Sequence, residues 1–413
     1  MTLIRPFKGL RPQQEKATDV VAPPYDVLNT AEARVRVQGR PHSFLHISKP
    51  EIDLPEDTDP FDASVYEKGA ENLNKLVDEN ILIQDATPCY YAYRLIMGEQ
   101  EQIGLVVVAN VADYDSNRIR KHEFTRPDKE DDRTRQIDAL NAQTGPVFLT
   151  YRQHADVDEI VQAVTKTDPE YDLKADDGVQ HTIWVIDDEK QVASLTAYFD
   201  SMDCLYIADG HHRSAAASRI AALRQQNNAQ HTGDESYNYF LSVIFPDNQM
   251  NILDYNRVIK DLNNLSTDEF IKKIASAFDI SESDTPVKPA QAGQFGMYMN
   301  HHWYKLDIHA DKVPTDDPVA RLDVSLLANN LIDPVLGIQD PRRDKRIDFV
   351  GGIRGLQELE KRVDSGEMKV AFSLYPTSLS DLMAVADANE VMPPKSTWFE
   401  PKLADGLVSH VLG

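Results

Sequence analysis

The segment 205–217, Leu-Tyr-Ile-Ala-Asp-Gly-His-His-Arg-Ser-Ala-Ala-Ala, constrains the fold more than any other part of the chain. It begins with a short apolar run, typical of a buried strand, that stops at Asp209 and Gly210, a turn signal. An Ala-rich segment of strong helix propensity then continues to about Gln226. The sequence therefore predicts a strand, a tight turn and the amino end of a helix.

This predicted turn has the chemistry of an anion site. Backbone N–H groups at the amino end of a helix are unpaired and lie at the positive end of its dipole. Gly210 lets the backbone approach a ligand closely, and Arg213 can bind a phosphate through two nitrogens. His211 and His212 donate hydrogen bonds when charged, and carry protons or bind metals when neutral. We interpret the segment as a phosphate-binding loop; the alternative is an N-capped helix with exposed polar residues.

Length and charge narrow the class of protein. A chain of 413 residues is long enough for two or three domains. Its net charge of −24 argues against nucleic-acid binding and against an anionic membrane surface. We find no signal peptide and no run of about 18 apolar residues, which predicts a soluble, cytoplasmic protein. Cys89 and Cys204 offer no disulfide framework and are predicted to be buried structural thiols.

Hydrophobic patterning predicts helices and strands that do not alternate strictly, which favours an α+β fold over a doubly wound sheet. Segments 89–97 and 102–111 are expected to pair as a hairpin, and segments 62–80 and 128–142 to form helices. The Pro-rich segments within residues 1–60 are expected to be ordered loops. The predicted domains are a Pro-rich and helical segment (1–85), a core with the phosphate-binding loop (86–262) and a C-terminal α+β domain (263–413).

A second candidate cluster lies at 117–127, where four cations surround a His-Glu pair. Arg120 and Lys121 are candidates to hold nucleotide phosphates, and Glu123, next to His122, is a candidate to accept a proton from a hydroxyl nucleophile. A carboxylate among cations has its pKa held low, which keeps it charged. The alternative is a solvated edge strand protected by charge.

Two further segments have both a functional and a structural interpretation. The basic residues at 341–346 lead to Gly351 and Gly352, so they fit a phosphate or carboxylate contact as well as a salt-bridged surface turn. Residues 396–402 combine aromatic and polar side chains, which fits a pocket lining or Pro-rich packing.

Metal binding by both loop histidines is unfavourable, because the side chains of adjacent residues point apart. Mg2+ held through substrate phosphates and one carboxylate, such as Asp209, fits the sequence better. The chain has no Walker A motif, no Gly-x-Gly-x-x-Gly after a strand and no Gly-x-Ser-x-Gly elbow.

Residues 210–216 fit the Gly-x-x-Arg-x-x-Ala loop of the ParB/sulfiredoxin superfamily, whose members bind nucleotide phosphates there. The motif at 209–213 resembles the Asp-Gly-His-His-Arg form of the free-serine kinases in that superfamily. The resemblance implies a ParB/sulfiredoxin-like mixed-sheet core with inserted and appended α+β segments. It also implies phosphorylation of L-serine to O-phospho-L-serine with ATP or ADP.

The same resemblance implies roles for individual residues. Glu123 becomes the general base, with His122 beside it, although 86 positions (209 − 123) separate Glu123 from the loop, more than in the compact kinases. Asp209 stays the candidate ligand for Mg2+ on the chemical argument given above. The nucleotide is then held by the loop and the basic pair, namely Asp209, Gly210, His211, His212, Arg213, Ser214, Arg120 and Lys121. His211 stands where a sulfiredoxin needs a reactive cysteine, which excludes that chemistry.

Motifs along nearly the whole chain also resemble a bacterial and archaeal family labelled ParB-like or SpoOJ-like (domain-of-unknown-function family 1015). They lie at 5–12, 21–26, 120–123, 209–213 and 398–402. A helix-turn-helix and a basic DNA-binding surface are not evident. Three functions stay open: a small-molecule kinase, a nucleotide-binding regulator with little turnover, and a phosphoester hydrolase that uses His211 or His212. The expected binding partner is a small-molecule substrate, an amino acid that carries a hydroxyl group. The sequence leaves open whether the protein forms a homo-oligomer.

Overall fold

The computed structural model describes residues 2–413, in which helices and strands are mixed along the chain. The helices are α1 (Ala17–Val20), α2 (Thr30–Arg36), α3 (Leu45–Ser48), α4 (Ala63–Asp78), α5 (Val111–Asp115), α6 (Pro127–Leu140), α7 (Ala155–Val164), α8 (Glu189–Ser201), α9 (His211–Asn227), α10 (Thr267–Ile274), α11 (Asp323–Leu327), α12 (Leu356–Asp364) and α13 (Leu379–Asp387). The strands are β1 (Ile4–Arg5), β2 (Gly9–Pro12), β3 (Leu82–Gln84), β4 (Tyr90–Met97), β5 (Gln100–Asn110), β6 (Ile119–Arg120), β7 (Ala142–Gln143), β8 (Val147–Tyr151), β9 (Tyr171–Lys174), β10 (Gln180–Ile186), β11 (Leu205–Asp209), β12 (Tyr239–Pro246), β13 (Asn251–Leu253), β14 (Tyr255–Ile259), β15 (Phe278–Ser283), β16 (Gln294–Met299), β17 (His302–Ile308), β18 (Ile347–Gly351), β19 (Val370–Leu374), β20 (Trp398–Glu400) and β21 (Ser409–Val411).

Contacts between residues group the chain into two compact units. Unit 1 contains the chain up to Met250 together with Pro401–Gly413, and unit 2 is Asn251–Glu400. Residues on both sides of the predicted boundary at 85 therefore belong to unit 1, and the C-terminal tail belongs there as well. The division into three domains at 85 and 262 stays a prediction about separately folding segments.

Unit 1 is built on a nine-stranded mixed sheet with the order β6-β11-β8-β12-β5-β4-β10-β9, and β1 pairs with β5. β11 runs parallel to β6, and β12 runs parallel to β8. The other neighbours are antiparallel, including the predicted hairpin of β4 and β5. The prediction of an α+β fold with a mixed sheet is confirmed.

Helices cover the apolar faces of this sheet. Every residue of β12 is buried, as is expected of a central strand with both faces covered. Ala217 and Ala221 of α9 pack in the same core as Val157 of α7 and Phe199 of α8. Because alanine side chains are short, α9 lies close to the sheet, and its amino end is fixed where β11 ends.

The Pro-rich N-terminal region contains more regular structure than the sequence predicts. The Pro-rich segments at 5–12 and 20–28 were expected to be ordered loops, but the first of them contains β2 and the end of β1. β2 lies in a second, four-stranded sheet with the order β3-β2-β21-β7, and Pro12 occupies the end of that strand, where the ring is tolerated. Asn29 and Glu32 form a capping box that starts α2.

Unit 2 contains a six-stranded antiparallel sheet, β15-β17-β16-β19-β14-β18, and a two-stranded pair, β13-β20. The basic residues of 341–346 form surface ion pairs here: Arg342 with Asp340 at 2.9 Å, and Arg346 with Asp344 at 2.7 Å. These contacts match the salt-bridged turn, which was the structural interpretation of that segment.

The structure also bears on the predictions about the two cysteines and about membrane-spanning segments. Cys89 is buried, whereas Cys204 is only partly buried, because it lies in the connection that leads into β11. Across residues 2–413, none of the helices combines the length and the apolar character that crossing a lipid bilayer requires.

Candidate functional site

The strand, turn and helix predicted for residues 205–227 are all present. β11 ends at Asp209, Gly210 has a left-handed φ of 97°, and α9 begins at His211. A Cβ at Gly210 would lie 3.3 Å from the Cα of Val147, so the backbones approach closely. Within the described residues 2–413 no side chain caps this end of α9. The geometry is that of an anion site at a helix amino end.

Parallel pairing brings the second predicted cluster to the same place. Ile119 and Arg120 of β6 are the register partners of Leu205 and Tyr206 of β11. Since parallel strands end at the same edge, the residues that follow β6 lie beside the loop that follows β11. The pairing of β6 with β11 thus brings Glu123 near Asp209, although 86 positions separate them along the chain.

Two hydrogen bonds join the loop after β6 to the amino end of α9. The backbone N–H of His122 donates to Nε2 of His211 at 3.4 Å, and that of Arg126 donates to Nε2 of His212 at 3.0 Å. A neutral imidazole that accepts through Nε2 carries its proton on Nδ1. In His211 that nitrogen lies 3.9 Å from Oε2 of Glu123. Its N–H therefore faces the carboxylate of Glu123, whose side chain is half exposed, at a distance longer than a hydrogen bond.

His122 and His211 are buried neighbours. Their ring centroids are 4.4 Å apart with the rings nearly perpendicular. Burial lowers the pKa of His122 to about 4, although the negative charge of Asp209 opposes the shift. Burial and the neighbouring His122 hold the pKa of His211 well below its ordinary value. Both rings are neutral at physiological pH, so they position other groups and do not supply positive charge.

Asp209 is held by charges from two parts of the chain. Its Oδ1 accepts from the backbone N–H of Gly210 at 2.8 Å, and its Oδ2 lies 3.4 Å from Nζ of Lys402 and 3.8 Å from Nη2 of Arg213. Burial alone would raise the pKa of Asp209, but Lys402 and Arg213 hold it below its ordinary value. The pairing of β11 with β8 is irregular between Ile207 and Asp209, directly before the loop.

Three of the predicted nucleotide contacts face other groups. Ser214 is fully buried, and its hydroxyl donates to the carbonyl of His211 at 3.0 Å. The ammonium of Lys121 lies 3.9 Å from the centre of the Tyr114 ring, and burial lowers the pKa of that lysine. The guanidinium of Arg120 lies 5.8 Å from the centre of the Tyr206 ring. The structure thus brings His122, Glu123 and the loop together and directs Ser214 and Lys121 into packing.

The side chain of Arg213, in the first turn of α9, lines a cavity. Its guanidinium donates to the carbonyl of Pro146. The cavity opens to solvent, and Tyr25, Arg133 and Asp405 also line it. Arg133 lies 4.0 Å from the ring centre of Tyr25. The wall therefore carries two partly buried guanidiniums and one buried carboxyl group.

The carboxyl group of Asp405 is only 2% exposed. Burial raises its pKa to about 7; Asp26 adds to this shift, and Arg213 and Arg133 oppose it. Lys402 lies in segment 396–402, for which a pocket lining was one of two interpretations, whereas Asp405 was not singled out. Nothing in the pattern indicated that the tail returns to the loop.

The residues present fit a metal ion only in a limited way. Among residues 2–413 no group of three or more His, Cys, Asp or Glu side chains is placed to hold one ion. Asp209 offers a single carboxylate that two cations already contact. A magnesium ion there would take its other ligands from phosphate and water, which is the usual preference of Mg2+.

The fold and site define an α+β protein with an uncapped, glycine-led helix end beside a buried polar cavity. The chain belongs to the family described as Protein of unknown function (DUF1015), which matches residues 4–325. Curated proteins give no match. The ParB-like or SpoOJ-like attribution stays a prediction.

Solved structures give distant matches. A mutant free serine kinase in complex with AMP is 12% identical, with a TM-score of 0.36, over 73% of this chain and 92% of that chain. A conserved hypothetical protein from Pyrococcus furiosus is 14% identical, with a TM-score of 0.35, over 73% and 94%. SbnI with a C-terminal truncation, from Staphylococcus aureus, is 11% identical, with a TM-score of 0.32, over 73% and 85%.

Proposed function

We propose that this protein is a phosphotransferase that uses ATP or ADP to phosphorylate the hydroxyl of a small amino acid, with L-serine as the first candidate. The observation that carries the proposal is the approach of Glu123 to His211 at the amino end of α9, with 3.9 Å between Oε2 and Nδ1. A candidate base and a candidate phosphate cradle are thereby adjacent. The resemblance of the motif at 209–213 to free-serine kinases supports the choice of acceptor.

The helix end has the means to hold phosphate oxygens. The uncapped N–H groups of the first turn of α9 are the principal donors, and Gly210 has no side chain of its own to cover them. Lys402 and Arg213 balance the charge of Asp209, so the loop does not repel an anion through that carboxylate. Mg2+ bound by the nucleotide phosphates and Asp209 would neutralise negative charge on the transferred group.

Phosphoryl transfer needs few protein groups, because positioning and charge neutralisation supply most of the catalysis. The acceptor oxygen forms a bond to the terminal phosphorus of the nucleotide as the bond from that phosphorus to its leaving oxygen breaks. The proton of the acceptor hydroxyl passes to Glu123. His211 is a positioning residue in this scheme, since its N–H faces the carboxylate of Glu123 and does not contact the reacting atoms.

The geometry disfavours the hydrolase alternative. Nε2 of His211 and Nε2 of His212 both accept from backbone N–H groups, and His211 is 5% exposed. Neither ring offers an accessible nucleophilic nitrogen through Nε2. The regulator alternative differs from the kinase by turnover, which the following experiment measures.

The purified full-length protein should form O-phospho-L-serine from L-serine and ATP or ADP with Mg2+, detected by mass spectrometry and phosphorus NMR. Glu123→Gln should lower kcat by roughly 100-fold or more, because it removes the proton acceptor. The nucleotide-induced rise in Tm should persist, since Glu123 is half exposed and lies beside the phosphate site. Glu159→Gln, at an exposed position of α7, is the matched control and should retain the wild-type rate.

Each other outcome has a defined meaning. Nucleotide binding without turnover of any amino acid would favour the regulator. A wild-type rate in Glu123→Gln would remove Glu123 as the base, and transfer to other hydroxyls but not to L-serine would change only the acceptor.

A further inference from the structure

In the cavity beside the phosphate loop, a carboxyl group and a guanidinium lie close to the same position, next to Gly145. A methyl group placed on Gly145 would lie 3.7 Å from Oδ1 of Asp405 and 3.8 Å from Nη1 of Arg213. Within residues 2–413 no ion pair joins Arg213 to Asp405; the ion pair of Arg213 is with Asp209. Buried charges are stabilised only when they are paired and hydrogen-bonded. A ligand that carries both signs of charge would give Asp405 a cationic partner and Arg213 an anionic partner in addition to Asp209.

Ser48 supplies an independent observation. It lines the same cavity, is 4% exposed, and its Oγ has no hydrogen-bond partner. A buried hydroxyl without a partner is unfavourable and is rare in native proteins. A polar ligand in the cavity would give this hydroxyl the partner that the protein does not supply.

The remaining wall sets the size and character of a ligand. Ile137, Val147 and Phe240 contribute apolar surface, while Thr144 adds a small polar side chain. A binding site with apolar walls and a few convergent polar groups is typical for small molecules. The space suits a compact ligand with a short side chain.

We propose that this cavity binds a small α-amino acid, with its carboxylate toward Arg213 and its ammonium toward Asp405. A simple anion would leave Asp405 without a cationic partner, and a simple cation would meet the positive charges of Arg213 and Arg133. The choice of an amino acid that bears a hydroxyl rests on the proposed function, whereas the binding itself needs no nucleotide. The cavity then lies next to the phosphate loop because Arg213 belongs to both.

Calorimetric titration of the full-length protein without nucleotide tests the ligand class. L-serine and L-alanine should both bind, because both carry the ammonium and the carboxylate. Glycolate, which lacks the ammonium, and ethanolamine, which lacks the carboxylate, should bind at least about ten-fold more weakly than L-serine. Equal binding of glycolate and L-serine, or no binding of either amino acid, would overturn the proposal.

Substitutions in the cavity test whether the amino acid binds there. Gly145→Ala places a methyl group between the two charges, with its nearest contact, Cδ of Arg213, at 3.4 Å, so the fold tolerates it. Ser48→Ala removes the unpartnered hydroxyl and should leave Tm unchanged or higher in the absence of ligand. Both should weaken L-serine binding by about ten-fold or more. Wild-type affinity in both variants would overturn the assignment.

Ser325→Ala is the matched control. Ser325 in unit 2 is also buried, at 5% exposure, and its Oγ also lacks a partner, but it does not line the cavity. This variant should bind L-serine as the wild type does. Amino-acid binding without phosphate transfer would refute the proposed function alone, and transfer with unaltered kinetics in Gly145→Ala and Ser48→Ala would refute the cavity alone.

Discussion

At the scale of single residues, the site depends on histidines that stay neutral. His122 is 2% exposed and stacks edge-on against His211. Burial and not a partner carboxylate dominates its titration, so protonation is disfavoured in the folded state. The two rings therefore act as neutral spacers that hold the loop after β6 against α9, and they place the N–H of His211 toward Glu123.

This burial predicts a loss of stability on acidification. The pKa of His122 is about 4 in the folded protein against an ordinary value of 6.5, so the unfolded chain binds more protons between these values. The contribution of neutral His122 to the free energy of unfolding is fully present above pH 6.5 and is lost as the pH falls toward 4. Going from pH 7 to pH 5, His122 should remove about 2 kcal/mol from the free energy of unfolding.

Urea unfolding of wild type and His122→Gln at both pH values measures this difference. The variant should lose about 2 kcal/mol less than wild type between pH 7 and pH 5. His302→Gln, at an exposed position of β17, provides the comparison for substitution of a surface histidine. Parallel pH dependence in wild type and His122→Gln would contradict the neutral buried histidine.

At the scale of elements, the turn between β11 and α9 combines two requirements on one residue. Gly210 has φ of 97°, and a Cβ there would meet the backbone of Val147 at 3.3 Å. Gly39 shares the positive φ, at 74°, but a Cβ there would meet nothing within 4 Å. Comparing alanine substitutions at Gly39 and Gly210 therefore separates two costs in stability: that of a positive φ with a Cβ, and that of the close approach to Val147.

Gly39→Ala should lower the free energy of unfolding by about 1–2 kcal/mol, the cost of a left-handed residue with a Cβ. Gly210→Ala should cost more, because the backbone of Val147 must also move. Only Gly210→Ala should abolish the rise in Tm that ATP or ADP produces. Thermal unfolding with and without nucleotide checks both effects. An equal nucleotide response in the two variants would show that the loop does not contact phosphate.

Local pattern was sufficient to predict most elements. The apolar run of β11, the Asp-Gly turn and the Ala-rich helix follow from propensity and turn chemistry, and the structure has them within one residue of the predicted end of α9. The hairpin of β4 and β5 follows equally from alternation. β9 was missed because its four residues carry too short an alternation.

Long-range pairing was not accessible in the same way. β6 has only two residues, and no local signal specifies that they pair in parallel with β11. The proximity of Glu123 to the loop was expected from motif order in a resembling family, while the contact through His211 is set by tertiary structure. The return of Lys402 and Asp405 to the site depends on β21, a three-residue strand with no periodicity of its own.

At the scale of the whole molecule, the candidate site belongs to unit 1 although the chain leaves that unit for residues 251–400. The tail pairs β21 with β2 and β7 and supplies Lys402 and Asp405. Asn251 and Glu400 are register partners in the antiparallel pair β13-β20. The two points where the chain enters and leaves unit 2 therefore face each other at a distance of about 5 Å.

This arrangement predicts that unit 2 is dispensable for folding of the site and that the tail is not. Replacing Asn251–Glu400 by a short Gly-Ser linker should leave a soluble protein that still gains Tm with nucleotide, because the linker spans only the separation of two paired strands. Truncation after Glu400 should abolish that gain and expose the edge of β2, since it removes β21, Lys402 and Asp405 together. Circular dichroism and thermal unfolding of the two variants distinguish these outcomes. If the internal deletion unfolds while the truncation keeps its nucleotide response, the site depends on unit 2 and not on the returning tail.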